Sequence, residues 1–505
     1  MVYSIIFSGA VFLSWLILCV LFKNSSYGLP YSDDYTHLRT VALLTGKGLS
    51  ETLSYYLPLK REVLDPFLFR PFANVLHALT DRLFLSSLEL RGKISLLLHA
   101  LSVVAMCDLV RKNSSLWMAL FLFPILLMAS YGVSIFLWAH MFFYLVALVL
   151  VVVYAHVFFS DSASHAEVIF ASILLVIGFL VNDLFAYSFS LITFGIWGLK
   201  RSDPSFQADS LFKLKLKWMF IAVASFHILN IVSLAKTWIR LNSIIFFGQV
   251  DTGLLSIVEK GFATTLKTFQ IFCASILFPK LVRIDSIAKF VNSYSFESIH
   301  LFMSTILVSS IFLLLIFLEI RKPGKIKEKM LTIFFSTNAM AFLVFYSLLR
   351  GTQRYEGYMA NGYIYYQIAF FFLPFIFLGL GRLALTNLAL KRATYIAVFI
   401  YSLATGFSSF LTISDLEHRI GHSYKEVTKS LIALRNYLRN PSRCLDFESM
   451  QRDFLNGEDK YPYKYQIYYI YHRDFCSKKP ATNIIKLKSD NMFDLDKEVK
   501  SLGWI

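Results

Sequence analysis

Residues 168–199 read VIFASILLVIGFLVNDLFAYSFSLITFGIWGL. The run is long for one membrane helix and short for two, and Asn182-Asp183 interrupts it. A bilayer core about 30 Å thick asks for about 20 apolar residues per helix. The stretch is therefore expected to form two short spans, 168–182 and 184–199, that meet at the polar pair. An ionisable residue between two apolar segments is costly, so Asp183 is a functional candidate. The structural alternative is a helix cap, because Asn and Asp are both good N-caps for the segment that follows.

The same hydrophobicity continues in both directions. Further apolar stretches lie at about 4–22, 94–110, 116–131, 139–159, 218–235, 301–319, 331–348, 364–385 and 393–413. With the central pair they make about eleven transmembrane helices. The chain has 505 residues, of which 56% are hydrophobic and 17% aromatic, and a soluble fold of this length has no interior large enough for that much apolar surface. The expected fold class is an all-α polytopic membrane protein. The first stretch has no basic n-region and no small-residue cleavage site before Lys23, so it reads as an uncleaved helix.

A net charge of +16 would suggest nucleic acid in a soluble protein. Here much of the excess sits in short loops: Arg111-Lys112; Lys200-Arg201 with Lys213, Lys215 and Lys217; Arg321-Lys322 with Lys325, Lys327 and Lys329; and Lys391-Arg392. All four fall on one side if the N-terminus starts there. The positive-inside rule makes that side the cytoplasm, and no nucleic-acid partner is expected. The opposite face then receives the long segments: 24–92, 236–300 and the tail 414–505. Phe262 to Pro279 is apolar enough to span but carries Lys267 and Gln270. A single crossing there would put the basic loop at 321–329 outside, so 262–279 reads as a re-entrant or interfacial helix. The tail is expected to be a small mixed α/β outer domain, with an amphipathic helix over Val427–Leu438 and a strand-like aromatic run over Tyr461–Tyr471. It also holds Cys444 and Cys476, whose pairing the sequence leaves open. No Cys/His spacing suggests zinc.

Four places carry candidate chemistry. Asp33-Asp34, in Tyr31-Ser32-Asp33-Asp34-Tyr35-Thr36-His37, stand about ten residues past the first span, with His37 close behind. Paired carboxylates at a membrane surface suit a base that takes a proton from a hydroxyl, or a metal held over a lipid-linked phosphate; the bland alternative is a solvated Asx turn. Arg70-Pro71 lies in an aromatic setting, where Arg can clamp a phosphate or snorkel to lipid head groups. Asp183 is the third. The fourth is the short outer loop with Arg350, Arg354 and Tyr355, where two positive charges on the outer face suggest an anionic partner such as a lipid-carrier phosphate.

Together these features resemble the GT-C superfamily of integral membrane glycosyltransferases. The acidic pair in the first outer loop, the long loop around it and the many spans carry the likeness. More narrowly, the chain is similar to serotype-converting O-antigen glucosyltransferases of bacteria and their phages. The specific part covers residues 1–110; the rest matches in architecture. The resemblance implies a bacterial inner-membrane enzyme that moves a hexose, glucose by analogy, from undecaprenyl phosphate to a lipid-linked O-antigen polysaccharide on the periplasmic side. Asp33 or Asp34 would be the base, and Arg70, Arg350 and Arg354 would stabilise the leaving phosphate. Asp183 would orient acceptor or base. No cofactor is required, and Mg or Mn is an open option. The rivals are an O-antigen or capsule polymerase and a non-enzymatic flippase or transporter; a transporter predicts charged residues along several helix centres.

Overall fold

In a computed structural model of the chain, the residues that can be described are 2–23, most of 69–76, 88–128, 142–202, 210–241, six positions between 266 and 276, 294–321, 326–351, 362–384, 389–411 with 413–414, 444–446 and 484–486. Expected features at 427–438 and 461–471 lie outside them, as does Cys476.

Helices dominate. In chain order they are α1 (Val2–Leu21), α2 (Leu88–Asn113), α3 (Leu116–Met128), α4 (Phe142–Phe158), α5 (His165–Val181), α6 (Asp183–Ser202), α7 (Ser210–Leu241), α8 (Tyr294–Arg321), α9 (Ile326–Gly351) and α10 (Gly362–Ala384). An eleventh, α11, covers Ala389–Leu411. Two short strands, β1 (Cys444–Asp446) and β2 (Ile484–Lys486), pair in parallel. The protein is an all-α polytopic membrane protein in its main body: seven of the described helices are long and apolar enough to cross a bilayer.

The remaining four apolar helices, within α3, α4, α5 and α6, have 17 residues or fewer in their apolar parts. At 1.5 Å per residue, 17 residues rise about 26 Å, a little less than the bilayer core. Length is therefore what separates these four from the other seven. α4 is the most covered of them, while α3, α5 and the second half of α6 each bury one face and expose large apolar side chains on another, among them Trp117, Phe170 and Phe194. Close approach helps here, because a Cβ on Gly178 of α5 would already touch Ala147 and Leu150 of α4, and one on Gly195 of α6 would press on Ile333 of α9.

Burial sorts the helices by role. The spans in α2 and α10 are 72% and 83% buried and form the centre, whereas those of α1, α8 and α11 are 17–28% buried and show apolar side chains to the surroundings. In a soluble protein such faces would be a liability; here lipid is their solvent. The centre is rich in Phe. Phe185, Phe342 and Phe371 meet with ring centroids 4.9–6.0 Å apart, and Phe312, Phe372 and Phe375 form a second group. Within 262–279, described residues 266, 269–270, 272–273 and 276 are helical. Phe272 packs edge-on against Phe372 at 5.4 Å, and the Tyr401 hydroxyl donates to the Ile276 carbonyl at 2.9 Å. Phe272, Cys273 and Ile276 are buried, whereas Leu266 is exposed.

A chain of polar contacts gathers the basic loops at one end. Arg382 at the end of α10 donates to the carbonyls of Asn113 (3.5 Å) and Glu328 (3.4 Å). Lys327 pairs with Asp161 at 2.8 Å, and Lys215 donates to the Ser160 carbonyl. The Tyr395 hydroxyl donates to Ser115 at 3.0 Å. Loops spread over almost 300 residues of sequence therefore share one end of the bundle.

Candidate functional site

The interruption at Asn182-Asp183 is a sharp helix-to-helix joint. α5 opens with a capping box: the Ser164 hydroxyl accepts from Glu167 N–H, and the Glu167 carboxylate accepts from Ser164 N–H. It runs apolar to Val181. Asn182 then turns extended (φ −141°, ψ 99°) while its own N–H still closes the last turn on Gly178 O. Its side-chain oxygen accepts from Leu184 N–H at 3.4 Å and its carbonyl from Phe185 N–H at 3.2 Å. One residue thereby ends α5 and caps α6.

Asp183 does something else. It is fully buried, in the first turn of α6, where the helix dipole favours a carboxylate. Oδ1 accepts from Arg70 Nε at 2.6 Å, and Oδ2 accepts from the Phe69 N–H at 3.1 Å. The Arg70 guanidinium also donates to the Tyr144 hydroxyl at 3.0 Å and lies 5.8 Å from that ring's centroid. Tyr144 sits in the first turn of α4. Three distant segments therefore meet on one ion pair. Residue 70 comes inward to the bundle instead of snorkelling outward, and keeps 17% side-chain exposure.

Local sequence makes the meeting feasible. Pro71 begins a helical turn at 71–73, a position where its missing N–H costs nothing, and Ala73 N–H closes on Arg70 O at 3.1 Å. Phe69 is buried against Phe226 of α7, with ring centroids 5.8 Å apart. The apolar ring fixes the segment, and the backbone N–H and guanidinium beside it are then aimed at Asp183. A buried charge needs such company: leaving one partner alone typically costs about 3–5 kcal/mol.

The pair lies away from the basic loops. α6 and α9 run antiparallel, as Phe185 meets Phe342, Ser188 bonds Asn338 and Gly195 approaches Ile333. α9 starts at the basic end, so α6 starts at the other. The chemistry available there is that of a fixed guanidinium: planar, permanently charged, oriented by a carboxylate and a phenol, and partly exposed. Such a group suits a phosphate or a carboxylate ligand.

The sequence reading named Arg70 and Asp183 separately, and the structure joins them. Both Asp183 oxygens are engaged, so its role in this geometry is to position Arg70 and residue 69. Of the two readings of Asn182-Asp183, the cap belongs to Asn182 and the costly charge to Asp183. Tyr144 was missed; nothing in Phe142-Phe143-Tyr144 sets it apart from any aromatic helix start. Arg350 falls in the last turn of α9 by its backbone. Asp33, Asp34, His37, Arg354 and Tyr355 lie outside the described residues. Among the described residues, no group of three or more His, Cys, Asp or Glu is placed to hold a metal.

Several other polar side chains pair between helices. Ser188 bonds Asn338 at 2.7 Å, Ser190 bonds His227 at 2.8 Å, and Asn230 donates to Tyr187 at 3.1 Å. His99 lies between the Tyr366 hydroxyl (2.6 Å) and the Leu127 carbonyl (3.0 Å). These contacts bind helices to one another. Compared with known proteins, the chain matches no protein-family model and no curated relative.

Proposed function

We infer that this protein is a membrane glycosyltransferase of GT-C type, which transfers a hexose from undecaprenyl phosphate to a lipid-linked O-antigen polysaccharide on the periplasmic side of a bacterial inner membrane. One observation carries the reading. The segment 24–92, which contains Asp33-Asp34, is tied to the bundle by Arg70 and Phe69 on Asp183, at the end opposite the basic loops. The described residues that flank Asp33-Asp34 in the chain stand at that end with the preorganised cation: the Trp15 indole of α1 donates to the Lys93 carbonyl of α2, and Arg70 lies on Asp183.

In the proposed reaction an acceptor hydroxyl attacks C1 of the donor sugar. Asp33 or Asp34 takes the hydroxyl proton as the new C1–O bond forms, and the old C1–O bond breaks with its electron pair on the lipid phosphate. Configuration at C1 inverts. Arg70, with Arg350 and Arg354 as further candidates, offsets the charge that grows on the departing phosphate. His37 and Tyr355 are assigned to substrate contact. Mg or Mn remains an option at the Asp pair. The topology in this proposal has eleven crossings, the N-terminus in the cytoplasm and the C-terminus in the periplasm. The four shorter helices are counted as crossings because 17 apolar residues fall only a little short of the bilayer core. Residues 414–505 form a small α/β outer domain, a reading supported by the β1–β2 pair.

The deciding experiment is transfer by Asp33→Asn and Asp34→Asn in membranes. At least one should lose about 10²–10⁴-fold in rate at normal abundance. Normal polysaccharide modification by both would overturn the reading. A phosphatase fused at Ile505 should be active, and an inactive fusion would reverse the sidedness.

A further inference from the structure

Four carboxamide side chains are buried among the described residues: Asn182, Asn230, Asn338 and Gln367. Two do visible structural work. Asn338 accepts from Ser188 and donates to the Phe334 carbonyl at 2.8 Å, and Asn230 donates to Tyr187. The other two leave polar atoms unmet, although the Asn182 oxygen also caps α6. The Asn182 Nδ2 group and both polar atoms of Gln367 have no hydrogen-bond partner. The Asn182 amide orientation is fixed, because its oxygen faces the Leu184 N–H, so its NH₂ is the spare end. A Ser in this position would cap α6 equally well without that extra donor. A Leu or Met would fill the volume of Gln367 in an apolar helix without burying a polar group. Each orphaned group costs about 1–3 kcal/mol.

The two orphans share a level. Asn182 sits at the start of α6, three residues before Phe185. Gln367 lies in the second turn of α10, four residues before Phe371 and on the same helix face. Phe185 and Phe371 touch, with centroids 6.0 Å apart, and Phe342 stacks on Phe371 with planes 7° apart. α6 and α10 both run toward the basic end, so each amide stands about one turn further out than this ring cluster. Asp183, with Arg70 on it, is the next residue to Asn182.

We propose that Asn182 and Gln367 bind the sugar of the lipid-linked donor, above the Phe185–Phe342–Phe371 floor, at the end of the bundle where Arg70 also lies. This rests on the glycosyltransferase reading. The unmet groups are two NH₂ donors and one carbonyl acceptor. A phosphate supplies acceptors alone and would leave Gln367 Oε1 facing negative charge. A hydroxyl gives and accepts at once, so a polyhydroxy ring answers all three. The rings below offer it an apolar face, and the phosphate belongs to Arg70. Both amides are fully buried in this structure, so the sugar reaches them by parting the outer end of the bundle. A site built on hydrogen bonds to hydroxyls discriminates strongly against analogues that lack them.

The test uses the full-length purified protein and two probes, undecaprenyl phosphate and undecaprenyl phosphate-glucose, read by thermal melting. Wild type should be stabilised by both, and more by the sugar-bearing lipid. Gln367→Leu and Asn182→Ser should keep the response to the bare lipid phosphate and weaken binding of the sugar-bearing one about tenfold. Without probe, Gln367→Leu should melt no lower than wild type, because it deletes an unmet polar group. Equal stabilisation of wild type by the two probes overturns the sugar site and leaves the lipid-phosphate reading standing. So does a variant that retains the full extra response, or a Gln367→Leu protein that melts lower. No response to either probe overturns the donor reading, and the sugar site with it.

Discussion

Two buried aspartates, one toward each end of the bundle, solve the same problem in opposite ways. Asp108 is 8% exposed near the end of α2 and takes its cations from its own helix: Arg111 at 2.8 Å, Lys112 at 2.8 Å, with His156 of α4 at 3.9 Å. Those partners are 40%, 44% and 21% exposed. Asp183 is fully buried and takes its cation from 113 residues away. The first arrangement survives any tertiary rearrangement that keeps α2 helical. The second exists only when the loop, α4 and α6 are all in place. A pair of the second kind acts as a fastening between segments, and it lies where the proposed chemistry needs a fixed loop.

Removing the cation should separate them most. Arg70→Ala strands the Asp183 carboxylate and should cost about 3–5 kcal/mol, seen as a lower melting temperature or poor accumulation of folded protein. The double change Arg70→Leu with Asp183→Leu should recover much of that stability, because an apolar pair replaces a buried ionic one, yet transfer should stay lost. Recovery of transfer in the double variant would reduce the pair to a structural fastening.

Tyr144→Phe is a finer cut. It keeps the ring beside the guanidinium and removes one hydroxyl, at a cost of about 0.5–1.5 kcal/mol. A decline in transfer larger than the loss of stability would show that the orientation of Arg70 matters. Equal declines would leave Tyr144 with packing alone.

Asp108→Asn should be milder, under about 1 kcal/mol, because its cations are partly solvated and its place near a helix C-terminus is already unfavourable for a carboxylate. Its effect should also shrink in high salt, while that of Arg70→Ala should not. A large, salt-independent loss at Asp108 would erase the distinction between the two ends. Smallest of all is Lys327→Ala. Its partner Asp161 is 86% exposed, and no measurable change in stability is expected.

The helices were legible because lipid imposes a simple rule: apolar runs of near-spanning length must be helical, and each such run holds a described helix. The break at Asn182 was legible for the same reason. The crossing count was harder, because length alone does not settle what a helix of 17 residues does inside a protein-lined bundle. Charge placement is written locally, and the described residues beside the basic loops meet at one end of the bundle. Asp108 could have been read too, as Arg111 and Lys112 follow at helical spacing.

Composition and periodicity by themselves determined that this is a helical membrane protein, where its apolar segments lie, which loops gather, and that Asp183 is out of place in apolar surroundings. Only the tertiary structure decided that Arg70 answers Asp183, that Tyr144 steadies Arg70, and that Asn182 and Gln367 are left unmet at one level. The reason is physical. Hydropathy and helical spacing are properties of neighbours along the chain, whereas the cost of a buried charge or amide depends on which distant groups reach it, and no local pattern records that.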